Sequence, residues 1–481
     1  MLNLINFTRR LYHSPTFMTW FSFSAKSLSI LVVLPLILTK FSKTEISLWY
    51  LFSILFGFQI IADLGFGGTF SRVISYAMAG LKTLDDIGKK PKEVIEKVAP
   101  NWGLILALKK KMRFIFFYVA IGFSTLITLI SLWFLDTPIE KLEDPKLGYS
   151  LLALILVVLF FKIYSRGYIS LISGLNEVAL LRRWEGVIVY FQIISSIFIL
   201  VLFGNFHLLV INNQLWIVIG IVNTYLLQKR ILKKNLRDVK IDAVEIKKIS
   251  YFEHVINPSW KSGVGTLSSY GLNQFSSLVL VDFLEEDNLV VYLISFRFIT
   301  IISEFSRAPF YAKLPFFGQL YQSNSYGNLL KIVKRSIDIS ICIASICLLL
   351  ITFFGNFALE LIRSRVDNLD YTLWLLLSLN IVLERLGAMH FQLHSLSNKV
   401  VWHKANIIYG LIFIAFSMST INYLDLYSIP CAMLAGNILY YTTKALITSY
   451  KEYSYNLIKF NLNIMICIVI LVIINLSFIT K

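Results

Sequence analysis

Lys109-Lys110-Lys111-Met112-Arg113 runs directly into FIFFYVAIGFSTLITLISLWF, residues 114–134: four basic side chains, then 21 residues without a charge. At 1.5 Å of rise per residue such a run spans about 31 Å, close to the roughly 30 Å of hydrocarbon in a bilayer. A helix also closes its own backbone hydrogen bonds, which water cannot do for it inside lipid. The block therefore reads as a membrane-spanning helix whose basic end stays on the cytoplasmic side during insertion.

Blocks of this kind recur along the 481 residues, at 17–39, 46–66, 114–134, 147–165, 187–204, 207–227, 261–281, 289–310, 336–357, 371–393, 405–423 and 428–447, with a weaker thirteenth at 461–479. Hydrophobic residues make up 57% of the chain and charged residues 15%, with a mean hydropathy of +0.71. A water-soluble fold could not bury so much apolar surface. The first block is expected to be retained as a helix, since it carries Lys26 and lacks a small-residue cleavage site. The four cysteines lie in apolar blocks without ligand-like spacing and read as packing residues.

Of the 45 Lys and Arg residues, 33 fall in the N-terminus and every second loop, against 7 in the opposite loops and C-terminus. That alternation predicts a cytoplasmic N-terminus and makes the net charge of +17 mostly a topology signal, not a nucleic-acid footprint. Expected outer loops stay within about 15 residues and no inner loop reaches 50, which leaves no room for a separate catalytic domain. No GxxxxGK[ST] is present to cradle nucleotide phosphates, so the chain carries no ATP-driven motor of its own. Transport, driven by a gradient, the potential or a partner, is the expected activity, and no enzyme chemistry or cofactor.

The charged linker 228–258 divides the spans six and six. Phe70-Ser71-Arg72 with Tyr76-Ala77 matches Phe305-Ser306-Arg307 with Tyr311-Ala312, and Lys26-Ser27 matches Lys261-Ser262, at one offset of 235 residues. Such a duplication, with an even number of helices per half, predicts an all-α polytopic protein of 12 to 13 transmembrane helices. These form two parallel-related six-helix lobes around a central cavity, residues 1–240 and 241–450, with 451–481 as an additional helix.

Charge inside a span is costly and marks a cavity or a partner. Lys26, Asp63, Lys162, Arg297, Glu304, Arg307, Glu384 and Arg385 are the candidates, five cationic and three anionic. Arg297, Thr300, Glu304 and Arg307 fall within an arc of about 80° on one helix face. A structural Glu304–Arg307 pair, or end residues snorkelling to the interface, would account for some of them. Thr266, Ser269, Tyr270, Asn273, Ser276 and Ser277 mark one face of the seventh span, as cavity lining or as packing glue. His390 and His394, four apart, lack a third ligand and read as interior histidines, not a metal site. An interior holding several cations favours an anion, and a groove open to the bilayer suits an amphiphilic one.

The segment Ile61-Ala62-Asp63-Leu64-Gly65-Phe66-Gly67-Gly68-Thr69-Phe70-Ser71-Arg72-Val73-Ile74-Ser75-Tyr76-Ala77, followed by a long basic loop, resembles the second-helix region of the O-antigen (Wzx-type) flippases of the multidrug/oligosaccharidyl-lipid/polysaccharide exporter superfamily. Asn257-Pro258-Ser259-Trp260 and the stretch from Arg297 through Pro309 to Pro315 are similar to the same family. The motifs cover about a tenth of the chain and the helical plan nearly all of it. The resemblance implies passage of an undecaprenyl-diphosphate-linked oligosaccharide across a bacterial inner membrane, past a cationic lumen. By position, Lys26, Arg72, Lys261, Arg297 and Arg307 would meet the substrate, with Asp63, Glu304, Glu384 and Arg385 in gating or coupling. It also implies contact with membrane lipids and, as partners, the polysaccharide polymerase and chain-length machinery. A drug or cation exporter of the same architecture, or a membrane-embedded glycosyltransferase or polymerase, are the competing readings. The first would call for an acid-dominated cavity, the second for catalytic groups on a sizeable outer loop.

Overall fold

The computed structural model describes residues 10–87, 99–142, 144–236, 251–269, 286–361 and 369–480, and every regular element among them is helical. The chain divides into two compact units, Met1–Trp260 and Lys261–Lys481. In the first lie α1 (Pro15–Lys40), α2 (Lys43–Ala62), α3 (Phe66–Met78), α4 (Trp102–Phe134), α5 (Pro145–Tyr164), α6 (Arg166–Gly174), α7 (Val178–Leu202) and α8 (Phe206–Asn235). Helix α9 (251–269) contains the division between units. In the second lie α10 (Glu286–Tyr311), α11 (Leu314–Gln322), α12 (Tyr326–Leu361), α13 (Tyr371–Ser395), α14 (Trp402–Leu424), α15 (Ser428–Gly436), α16 (Thr442–Tyr453) and α17 (Leu457–Ile479).

The expected spans fall on helices, except that the second, 46–66, runs across the turn at 63–65 between α2 and α3, and the seventh is described only as far as residue 269, beyond which Tyr270, Asn273, Ser276 and Ser277 lie outside the described residues. Eight helical stretches among the described residues are long and apolar enough to cross a bilayer. The longest, Trp402–Tyr453, folds back on itself at Asp425, whose φ of 45° reverses the chain, so that Tyr409 of α14 meets Tyr441. Large apolar side chains such as Phe114, Leu129, Phe198 and Leu215 are uncovered on the outside of α4, α7 and α8. Lipid can cover such a surface and water cannot. The chain is thus an all-α polytopic membrane protein.

The helix starts are written in the sequence. Ser14, Asn101, Asp144, Asn205, Asp370 and Asn456 each accept a backbone N–H from the first turn of the helix that follows, and Pro15 and Pro145 occupy first-turn positions. Each such cap contributes on the order of 1 kcal/mol. Several helices also outrun their apolar blocks: α4 begins at Trp102, twelve residues before the charge-free run, and α7 at Val178. Hydropathy locates the part of a helix that lipid requires, whereas capping and backbone bonding decide where the helix ends.

Five pairings of spans recur in the same order in both units. In the first, α1 packs on α7, α2 on α5, α4 on α5, α7 on α8 and α5 on α8. In the second, α10 packs on α13, α12 on α13, α14 on α15 and α13 on α16, while the Asn406 amide of α14 donates to Gly265 O and Ser269 Oγ of α9 at 2.9 and 2.6 Å. The units differ where the sequence match is strongest. After α2 the chain breaks at Leu64 and Gly65, both with positive φ, before α3 begins, whereas α10 runs through its matching segment without a break. Arg72 therefore sits on a short separate helix and Arg307 near the end of a long one.

Candidate functional site

In the first unit, α1 and α7 run side by side in the same direction, Phe21 meeting Gly186 and Ser24 meeting Tyr190. Their approach is set by Gly186, where a Cβ would lie 2.5 Å from Phe21 and 3.3 Å from the Ser22 backbone. This closeness lets Lys26, near mid-length on α1, reach across. Its Nζ donates to Glu185 Oε1 at 2.6 Å, and Arg182 donates to Glu185 Oε2 at 2.7 Å. The buried Phe23 ring lies beneath both cations, 5.9 Å from Lys26 Nζ and 6.0 Å from the Arg182 guanidinium, a geometry that favours positive charge.

Lys162, at the end of α5, lies within electrostatic range of Lys26, Glu185 and Arg166, and Arg166 within range of Asp63. Lys162 makes no ion pair among the described residues. Asp63 also holds the backbone, since both its carboxylate oxygens accept the Gly67 N–H, at 3.1 and 3.3 Å, fixing the start of α3. Gly67 leaves room for that carboxylate, since a Cβ there would lie 2.7 Å from it. The group comprises Lys26, Lys162, Arg166 and Arg182 against Asp63 and Glu185, a net charge of +2. In low-dielectric surroundings an uncompensated positive charge of this size is a strong attractor for an anion.

Arg72 stands apart, one turn before the buried Tyr76 with which it interacts electrostatically. Its helix packs closely on α6, where a Cβ on Gly174 would lie 2.6 Å from Ile74.

The second unit gathers a different set. Arg307 donates to Glu304 one turn earlier on α10, and Arg385 of α13 donates to Ser303 Oγ. Tyr311 and Tyr441 lie within electrostatic range of Glu384 and Arg385, and Tyr409 within range of Glu384. Two glycines allow that convergence: a Cβ on Gly387 would lie 2.9 Å from Tyr441, and one on Gly436 2.6 Å from Tyr409. A π-turn at Asn437–Tyr441 adds a residue to the helix there, with the Asn437 amide donating to Asn380 Oδ1 at 2.7 Å. Such insertions re-aim side chains and recur at functional sites. Glu304, Arg307, Glu384 and Arg385 sum to zero.

Arg297 is exposed on α10 and has no partner among the described residues. Lys261, half-buried on α9, has His403 within electrostatic range. His390 is enclosed by Ser449 Oγ at 2.7 Å, Tyr455 OH at 3.1 Å and Asn461 Oδ1 at 3.3 Å, while His394 faces Glu452 at 3.7 Å, so the two rings share no partner. Among the described residues no three His, Cys, Asp or Glu side chains could hold a metal.

Arg166, Arg182 and Glu185 do not stand out in the sequence, because they fall in a stretch read as loop. The one signal was the i, i+3 spacing of Arg182 and Glu185 ahead of an apolar run. The tyrosines around Glu384 carried none, in a chain with 24 of them.

No family model matches the sequence, and no curated protein matches it. Solved structures do. The outward-facing form of a multidrug resistance MATE family transporter of the MOP superfamily is similar with a TM-score of 0.66 at 14% identity, covering 92% of this chain and 97% of that one. A MOP superfamily transporter from Pyrococcus furiosus gives 0.65 at 15%, over 92% and 97%. A Vibrio cholerae MATE transporter gives 0.61 at 15%, over 93% and 98%. The fold is that of the MOP-superfamily transporters.

Proposed function

We propose that this protein is a flippase that carries an undecaprenyl-diphosphate-linked oligosaccharide, an O-antigen or related surface-polysaccharide repeat unit, across a bacterial inner membrane, with its N-terminus in the cytoplasm. The observation that carries this reading is the net positive cluster around Glu185. Lys26 and Arg182 are held by one carboxylate, and Lys162 and Arg166 supply the excess charge. A diphosphate competes with Glu185 for these donors, and charge-assisted hydrogen bonds offset the desolvation that otherwise limits passage of an anion through a bilayer. Moving two negative charges outward is assisted by a potential negative inside, by roughly 4 to 5 kcal/mol at 100 mV. The chain moves its substrate without transforming it and hands it to polymerase and chain-length machinery.

A drug or cation exporter is the second reading, favoured by the MATE structures among the neighbours. The polarity of the binding pocket is not constant across this fold, however: for the Pyrococcus furiosus neighbour a reversed pocket polarity is taken to suggest a different function. Deletion of the gene separates the two. Lipid-linked repeat units should accumulate on the cytoplasmic leaflet and surface polysaccharide should vanish. Normal polysaccharide with new sensitivity to cationic drugs would overturn the flippase reading in favour of the exporter.

A further inference from the structure

A second basic site on the first unit is lined by residues other than those of the Glu185 cluster. Lys109 and Arg113 of α4, Tyr164 of α5, Gly167 and Tyr168 of α6 and Gln228 of α8 line a small, partly open cleft. Its floor is apolar, formed by Met112 and Phe116, and Gly167 admits Phe116 closely, a Cβ there lying 3.2 Å from that ring. Arg113, exposed on α4, has Tyr164, Tyr168 and Tyr225 within electrostatic range. The Tyr164, Tyr168 and Tyr225 rings follow one another at 5.7 and 5.6 Å.

The level of the cleft along the helices is set by the charge pattern. The charge-free run of α4 begins at Phe114, directly after Arg113, and that of α8 ends at Gln228, directly before Lys229-Arg230. The cleft thus lies where hydrocarbon gives way to headgroups, at the end of the unit that also presents Lys229, Arg230, Lys233 and Lys234 uncovered on α8. Tyrosines are enriched at that depth because their rings suit the boundary and their hydroxyls suit water. Next to the cleft, on the hydrocarbon side, Phe114, Phe117, Tyr118, Phe161 and Val222 are bare, a surface for acyl chains.

We infer that this cleft binds the phosphodiester headgroup of an anionic phospholipid, with Lys109 and Arg113 as the phosphate ligands and its chains lying along α4 and α8. Two cations, a tyrosine belt and an adjoining apolar track meet the three parts of such a lipid, and basic pockets between helices at the cytoplasmic interface suit anionic headgroups. A free phosphate would use only the first.

Purified full-length protein in detergent tests this through thermal unfolding with added phosphatidylglycerol, phosphatidylcholine, inorganic phosphate or glycerol 3-phosphate. Two basic ligands predict a preference for phosphatidylglycerol over phosphatidylcholine of at least about tenfold in the concentration giving half the shift. Lys109→Ala and the double variant Lys109→Ala/Arg113→Gln should lose that preference while unfolding as the parent does in phosphatidylcholine, and Lys109→Arg should keep it. Lys109→Ala guards against the double variant failing to fold. Equal response to the two lipids, an unaltered preference in both alanine variants, or the same shift with inorganic phosphate or glycerol 3-phosphate would each overturn the assignment.

Discussion

The two units repeat one order of helix pairing but fill it with different chemistry. Around Glu185, four cations share two carboxylates and the cations lie on four different helices. Around Glu384, two cations meet two carboxylates, the Glu304–Arg307 pair closes within a single helix, and three tyrosines surround the acid. A pair within one helix is satisfied wherever that helix goes, whereas a pair between helices depends on their separation. The first arrangement can respond to movement of α1 against α7, and the second holds its own charge balance regardless. What a repeated fold supplies is a set of crossing points, and the charges placed at those points give the two halves different net charge.

The largest effect should come from reversing the charge that bridges two helices. Lys26→Glu sets a carboxylate against Glu185 and leaves Arg182 as the cation still paired with Glu185. Two like charges about 4 Å apart repel by roughly 4 kcal/mol at an effective dielectric of about 20, so export of surface polysaccharide should fall by roughly 100-fold or more at unchanged protein level. The exchange Lys26→Glu/Glu185→Lys restores the pair and the net charge and should recover most of the loss. Glu304→Gln breaks a half-exposed pair one turn apart, worth a few tenths of a kcal/mol, and should cost about twofold. Equal losses from Lys26→Glu and Glu304→Gln would erase the distinction between the units.

How much of this was legible follows from the same contrast. Lys26 could be found from sequence because it is one charge in an apolar run, and the Glu304–Arg307 pair because helical spacing alone puts the two together. Glu185 could not, since its neighbours Arg182 and Arg183 make its surroundings look like loop, and only Gly186 against Phe21 brings α7 within reach of Lys26. Asp63 was legible as an intramembrane acid, yet its bond to the Gly67 N–H depends on the chain break at Leu64 and Gly65. Spans are a property of composition over about 20 residues and survive any misreading of their ends. Sites made between helices depend on single small residues, to which a hydropathy reading is blind.

Arg297 sharpens the comparison from the other side, being the one exposed cation of α10 without a partner among the described residues. If the second unit contributes to anion passage, this is the residue free to do so. Arg297→Ala should lower export about tenfold, Arg297→Lys should retain part of it by keeping the charge without the planar fork, and Arg297→Glu should be lowest of the three. Quantified surface polysaccharide at matched membrane protein level reads the series. Three normal variants would confine the anion path to the first unit's cations.

Effects smaller than that of Arg297→Ala should come from the glycines that set the crossings, and they discriminate between a site that depends on helix separation and one that does not. Gly186→Ala forces its new methyl against Phe21 and the Ser22 backbone, and Gly387→Ala forces one against Tyr441 and the Thr442 Cα at 3.1 Å. Overpacking of this kind costs about 1 to 3 kcal/mol wherever it occurs, so both variants should lose stability to a similar degree in thermal unfolding. Their transport should differ. Moving α1 away from α7 by a few tenths of an ångström lengthens the Lys26–Glu185 bond from 2.6 Å and loosens the cluster proposed to hold the anion, so Gly186→Ala should lower export several-fold beyond its loss of protein. Moving α16 away from α13 leaves Glu304 and Arg307 bonded within α10, so export by Gly387→Ala should track protein level alone. Replacing Phe21 by Leu in the Gly186→Ala background removes the ring atoms of the closest contact without touching a charge, and recovery of export there would tie the defect to helix spacing. Should Gly387→Ala prove the more damaging of the two per molecule, the tyrosine-walled acid of the second unit, not the cationic cluster of the first, is where helix movement governs transport.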